Sequence, residues 1–163
     1  MKTVIVQAGD PLLRQKAIPV AKKDISSRKI QTLIARMKRT LAREEHGVAL
    51  AAPQIGKSVR LFIVAGKVLG EGHGDRVYIN PEIIRASRKK KEAAEGCLSV
   101  RNKYGKVLRH EKATLTALNE KGKSLVHHAS GLLAQIFQHE IDHLEGILYT
   151  DKAVSVEDEK TRE

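Results

Sequence analysis

The chain carries a single cysteine, five aromatic residues and four prolines among its 163 residues. One cysteine, Cys97, excludes an internal disulfide and fits a reducing compartment. Phe62, Tyr78, Tyr104, Phe137 and Tyr149 are too few and too scattered for a base-stacking platform, which argues against a dedicated RNA-binding module. No apolar run is long enough to span a bilayer, so no membrane partner is expected. The opening Met-Lys-Thr-Val-Ile-Val-Gln lacks the extended apolar stretch of a secretory signal. The expected location is therefore a bacterial cytoplasm or an organelle. Acidic residues are also scarce: 19 stand against 30 Lys and Arg, a net charge of +11. That balance points to anionic surroundings such as ribosomal RNA, although a solvated basic face carries the same signature.

What is present organises as one domain over 1–163, with a charged, frayed tail expected from about 154. Asp10-Pro11-Leu12-Leu13-Arg14 marks a turn into a short helical piece. Ile30, Leu33, Ile34, Met37 and Leu41 recur at helical spacing from Ser26 or Ser27 to about Glu45, with Arg28, Lys29, Arg36, Lys38, Arg39 and Arg43 facing water. Arg60 to Ala65 and Val77 to Asn80 have strand character, and Asn80-Pro81 signals a turn. Ile83 to Glu95 is ambiguous, because the basic run Arg88 to Lys91 suits a hairpin cap. Leu98 to Val100, Lys106 to His110 and Thr114 to Asn119 have extended character, and Asn119-Glu120-Lys121-Gly122-Lys123 is a hairpin signal. Ser130 fits the N-cap of a last helix running to about Glu145, stopped by Gly146. A strand-rich middle between helical ends gives an α+β class, with antiparallel strands around the C-terminal helix.

That last helix contains His139-Glu140-Ile141-Asp142-His143. Residues four apart lie on one helix face, so both imidazoles can hold one metal ion while Glu140 stays free to move a proton from water. Leu132 and Ile136 lead along the same face into the histidine pair, as the floor of a pocket would require. The third ligand is less obvious. Six residues after His143 stands Tyr149 where some peptidases have histidine, and Glu157, Glu159 and Glu163 lie in the tail. An upstream donor is expected. His46, His73, His110, His127 and His128 are open candidates, with Cys97 preferred because Gly96 permits a tight turn that aims its sulfur.

Three segments in this order resemble the peptide deformylase family: Gly47-Val48-Ala49-Leu50-Ala51-Ala52-Pro53-Gln54, Glu95-Gly96-Cys97-Leu98-Ser99 and Gln138-His139-Glu140-Ile141-Asp142-His143. The resemblance extends from Asp10 to Leu148. It implies a compact α+β fold that removes formyl groups from N-formylmethionyl nascent peptides and releases formate. It also implies Cys97, His139 and His143 as ligands of one divalent ion, Fe(II) foremost, with Zn or Ni accommodated. Glu140 becomes general base and then acid, while Gln54 and the Leu98 N–H stabilise the oxyanion. Gly47, Val48 and Ala49 are expected to meet the substrate, with Val48, Leu132 and Ile136 forming the methionine pocket. A monomer with a ribosome contact through its basic surface completes the expectation.

Two positions depart from the family pattern. Ala49 replaces a usual glycine, where a methyl restricts dihedrals or narrows the substrate's approach, and Arg101 stands where proline is common. Arg109 matches a position often basic in the family and equally suits a surface cation. Two other functions share some of these features. A zinc peptidase shares the water chemistry but rarely uses a thiolate ligand. A structural-metal RNA-binding module would need a fourth protein ligand, and none is evident.

Overall fold

Leu61-Phe62-Ile63-Val64 is apolar at every position, a pattern suited to a strand covered on both faces. The computed structural model, which describes residues 2–159, places this strand inside a sheet between two helices. In chain order the elements are α1 (Arg28–Ala42), β1 (Ala49–Ala51), β2 (Leu61–Val64), α2 (Gly66–Leu69), β3 (Arg76–Ala86) and β4 (Lys90–Cys97). They continue with β5 (Val100–His110), β6 (Lys112–Leu118), β7 (Ser124–Ser130), α3 (Gly131–Leu144), α4 (Tyr149–Lys152) and β8 (Ser155–Asp158). A five-stranded sheet runs β1-β2-β3-β6-β7, and a three-stranded sheet runs β4-β5-β8. Every strand pairing within the two sheets is antiparallel.

Alternation along β2 divides the core in two. Leu61 and Ile63 join Leu50, Val77 and Ile79 against the α1 stripe of Ile30, Leu33, Ile34, Met37 and Leu41. Phe62 and Val64 point the other way, to Tyr78, Leu115 and the α3 residues Ile136, Phe137 and Leu144. Phe62 stacks on Tyr78 at 4.9 Å between ring centroids, and Phe137 meets Tyr78 edge-on at 5.2 Å. Phe62→Ala should therefore destabilise the protein by about 3–5 kcal/mol, through lost burial plus a cavity. Urea unfolding of both proteins measures that loss.

The helix expectations hold with small changes. Ser27 caps α1 by accepting a hydrogen bond from the Ile30 N–H at 3.3 Å, and the helix ends at Ala42 rather than Glu45. Arg36 is half-buried instead of solvated and donates to the Ile55 carbonyl at 3.3 Å. Asn119 closes the β6–β7 hairpin, its Oδ1 accepting from Lys121 and Lys123. Ser130 occupies the N-cap of α3 but makes no side-chain cap bond. Gly146 (φ 77°) ends that helix where an added Cβ would collide with the Arg14 carbonyl.

Three chain-path expectations are corrected. β3 does not turn at Asn80-Pro81; it runs on to Ala86 through a register shift between Ile79 and Glu82. Asn80 takes φ 50°, which asparagine tolerates, and its side chain bonds both the N–H and the carbonyl of Val20 at 2.8 Å. The run Arg88 to Lys91 caps no β3–β4 hairpin, because β3 pairs with β6 while β4 pairs with β5. Nor is the segment from Val154 a frayed tail: Ser155–Asp158 pairs along Lys103–Lys106 of β5. Backbone bonds to an open strand edge hold it there, which side-chain polarity does not reveal. Residues 160–163 lie outside the described residues. Among the described residues no helix is long and apolar enough to cross a membrane.

Candidate metal centre and catalytic cleft

α3 packs between the two sheets, with the five-stranded sheet on one side and β5 on the other. Gln138 ties it down, its Oε1 accepting from the His110 N–H at 2.9 Å and its Nε2 donating to the His110 carbonyl at 3.0 Å. Helical spacing then stacks His139 and His143, whose ring centroids lie 4.9 Å apart. Cys97 ends β4, where the register slips between Gly96 and Cys97 before the Leu98-Ser99 turn. Gly96 is not among the positive-φ glycines, so the slip in pairing rather than left-handed backbone orients the thiol. On β5, Asn102 lies within that slip at φ 62°.

Cys97, His139 and His143 each offer one donor atom, and these lie within 4.8 Å of one another. Cys97 Sγ is 3.2 Å from His143 Nε2. Among the described residues this is the group of three or more His, Cys, Asp or Glu that could hold a metal ion. The preferred upstream candidate is therefore the one that arrives. Of the others, His110 bonds the Ser87 carbonyl, His127 meets Tyr78 and His128 meets Thr114.

Electrostatics suit a cation at this point. Burial pushes the Cys97 thiol up, but the His143 and His139 imidazoles outweigh it and hold the thiol well below its ordinary value. Burial pushes the Glu140 carboxyl above its usual range. Its Oε2 is buried without a hydrogen-bond partner, as is His143 Nδ1. A thiolate beside two imidazoles with one orphaned carboxylate oxygen nearby is a donor set that fits a divalent ion.

A buried charge network stands behind this cluster. His139 Nδ1 lies 2.8 Å from Glu95 Oε1, which leaves its other nitrogen for the cluster. Arg109 Nε and Nη2 fork onto the two Glu95 oxygens at 2.7 Å each, and Nη1 reaches Asp142 at 2.7 Å. Lys152 Nζ closes the chain on the other Asp142 oxygen at 2.9 Å. Burial alone would raise Glu95, yet Arg109 and His139 hold its carboxyl down at about 2. Arg109 is thus no surface cation; it is only 4% exposed. Sequence reasoning gave no role to Glu95, Asp142 or Lys152. Tyr149, raised above only as a missing histidine, lies buried with its ring stacked 6.2 Å from His139.

A cleft of about 370 Å³ opens over the cluster. It is lined by Cys97, His139 and Glu140 together with Gly47, Val48, Ala49, Gln54, Leu98, Leu132 and Ile136. Gln54 is held at both ends: its Oε1 accepts from the Ala51 N–H at 2.9 Å, and its Nε2 points to Ser99 Oγ (3.1 Å) and Cys97 Sγ (3.6 Å). Ser99 is fully buried and had no expected role. Gly47 has a packing reason of its own, since a Cβ there would press on Leu41 and Glu44 at the end of α1. Ala49 sits in regular strand pairing with Val64 and outside the positive-φ set, so its methyl strains nothing. Arg101 stands on the cleft rim, 3.6 Å from Glu44.

A thiolate–imidazole cluster beside an unpartnered carboxylate, in a cleft bordered by an edge strand, defines a metal-dependent hydrolase of peptide-like substrates. Comparison with known proteins makes the class specific. The polypeptide deformylase family profile matches residues 2–159. The peptide deformylase of Halothermothrix orenii is 47% identical over 155 residues, covering 95% of this chain and 96% of that one. That of Carboxydothermus hydrogenoformans is 45% identical, covering 93% of each. Among solved structures, a class I type b peptide deformylase from Acinetobacter baumannii superposes with a TM-score of 0.86 at 34% identity, over 93% of this chain and 99% of that one. The chain belongs to the polypeptide deformylase family. It is a hydrolase that removes the formyl group from the N-formylmethionine of newly synthesised polypeptides and releases formate.

Proposed function

We propose that Cys97, His139 and His143 hold one divalent ion, natively Fe(II) with Zn or Ni able to substitute, and that Glu140, Gln54 and the Leu98 N–H carry deformylation around it. The observation that carries this reading is the convergence of three donor atoms within 4.8 Å in the same cleft as Glu140. When bound, the ion supplies positive charge that acidifies water and polarises the formyl carbonyl. Glu140 accepts the proton of the attacking water at its unpartnered Oε2. The same oxygen then delivers the proton to the departing amine as the C–N bond breaks, leaving formate and a free N-terminus. Burial suits both duties by raising the carboxyl towards the working pH.

Negative charge developing on the formyl oxygen is met by the Gln54 amide and the Leu98 N–H. The Gln54 carbonyl end is fixed on Ala51, which aims its N–H₂ into the cleft beside Cys97. Gln54→Ala should lower kcat/KM for formyl-Met-Ala-Ser by about 10²–10³-fold with little change in metal content. Unchanged turnover would remove Gln54 from the mechanism.

Substrate backbone pairing with β1 supports recognition of any nascent chain, because β1 is an edge strand and main-chain bonds ignore side-chain identity. Gly47, Val48 and Ala49 border that edge, while Val48, Leu132 and Ile136 offer apolar surface to the methionine. Leu132 is 55% exposed, so a ligand there would cover it. The A. baumannii relative bound to Met-Ala-Ser fits a cleft for methionyl peptides. The protein acts as a monomer in the bacterial cytoplasm, because one chain supplies the whole site and the H. orenii and C. hydrogenoformans relatives are bacterial. Ribosome contact through the basic surface is supported by the +11 charge and the nascent-chain substrate.

A further inference from the structure

A second, larger cleft of about 710 Å³ lies at the other end of β3, β6 and β7. Arg85, Arg88, Lys112 and His128 line it, with Ser87, Thr114 and Ser130 adding hydroxyls, and no carboxylate is among the lining residues. Lys90 and Lys91 follow at the start of β4, also exposed. Of the cations from Arg85 to Lys91, Lys89 alone has a carboxylate within 4.0 Å among the described residues, Glu111 at 3.6 Å. Among the described residues, Arg85, Arg88, Lys90, Lys91 and Lys112 have no carboxylate within 4.0 Å.

This cluster differs from an ordinary solvated charge run because its backbone is pinned. The Ser87 N–H donates to the Lys112 carbonyl at 3.0 Å, and the Lys112 N–H donates back to Ser87 Oγ at 3.0 Å. His110 Nδ1 lies 2.6 Å from the Ser87 carbonyl, and the Glu111 N–H donates to the Lys89 carbonyl at 3.1 Å. The two links between the sheets, 87–89 from β3 to β4 and Glu111 from β5 to β6, are thus locked together, and the cations beside them surround a concavity. A third cleft joins this region to the catalytic one: it shares Lys112 and Ser130 with the basic cleft, and Leu132 and Gln135 with the catalytic cleft.

We propose that the Arg85–Lys91 turn together with Lys112 is a docking surface for the phosphate backbone of RNA, set beside the catalytic opening. It gives a location and a chemistry to the polyanion contact proposed above, and rests on that reading. A concave site lined by guanidinium, ammonium and hydroxyl donors matches phosphate oxygens that enter it, whereas a flat lipid surface would reach only its rim. The aromatic residues are spent elsewhere, with Phe62, Tyr78, Phe137 and Tyr149 buried and Tyr104 donating to Glu157 on β8, so bases are not stacked in this cleft and recognition is independent of sequence.

The test is fluorescence anisotropy of the full chain with a short labelled single-stranded RNA of mixed sequence, titrated across salt. Five phosphate contacts predict a slope of log K against log salt of about −3 to −4. Arg85→Gln/Arg88→Gln/Lys112→Gln should flatten that slope by about 2 and weaken binding at low salt by tenfold or more, roughly. All three side chains are exposed, so kcat/KM on formyl-Met-Ala-Ser should not change. Equal RNA affinity in parent and variant would overturn the proposal. So would stronger patch-dependent binding to phosphatidylglycerol vesicles or to polyglutamate. Ribosome co-sedimentation separates the two readings: if the variant still pellets with ribosomes, this patch fails while ribosome contact stands. If the parent does not pellet but its RNA binding depends on the patch, the reverse holds.

Discussion

Glu140→Gln should lower kcat for formate release by roughly 10³-fold while one metal ion per chain remains bound. Glutamine keeps the shape and fills the same buried space, so neither packing nor the Cys97, His139 and His143 donor set is disturbed. What disappears is an oxygen able to take and return a proton. In the parent that oxygen is buried, makes no hydrogen bond and sits in a carboxyl raised by burial. Elemental analysis beside a formate-release assay separates this from simple metal loss. A variant that loses metal in proportion to activity would assign Glu140 to the ligand set instead.

Arg109→Leu should both destabilise the protein strongly and weaken its hold on metal. It leaves Glu95 and Asp142, both buried, without the guanidinium that forks between them. Stranding buried charges typically costs about 3–5 kcal/mol, which for a chain of this size lowers Tm by roughly 10 °C. A second effect follows from Glu95 at His139 Nδ1, which sets the ring's orientation. Loss of such support typically weakens metal affinity by about 10–100-fold. Arg109→Lys should recover only part of both losses, because an ammonium cannot fork onto two carboxylates. Calorimetry and a chelator competition measure the two effects separately, and an unchanged Tm in Arg109→Leu would refute the network's structural role.

Local pattern made much of this legible before any coordinates. The α1 stripe and the HEIDH helix announce themselves by period, and Asn119-Glu120-Lys121-Gly122-Lys123 by turn chemistry. The three motifs likewise bring Gln54, Cys97, Leu98, His139 and Glu140 to one cleft as their resemblance implies. What stayed hidden depends on partners distant in the chain. Asn80-Pro81 has the composition of a turn, but the two bonds from Asn80 to Val20 hold it as an irregularity inside β3. β8 is polar by sequence and exists because β5 has a free edge. Arg109 looks like any exposed cation on an alternating strand until Glu95 and Asp142, 14 and 33 residues away, enclose it. Buried ion networks carry no periodic signature, so the support behind Cys97, His139 and His143 could not be read from the sequence as their clustering was.

Deformylation by the proposed Cys-His-His metal site with Glu140 has a direct assay. It is tested most directly by formate release from formyl-Met-Ala-Ser, using protein purified without oxygen and compared with Cys97→Ala at matched concentration. The parent should release formate and Met-Ala-Ser in equal amounts and hold one divalent ion per chain, with both ion and turnover lost in the variant. Full turnover by Cys97→Ala, or internal peptide cleavage by the parent without formate, would contradict it.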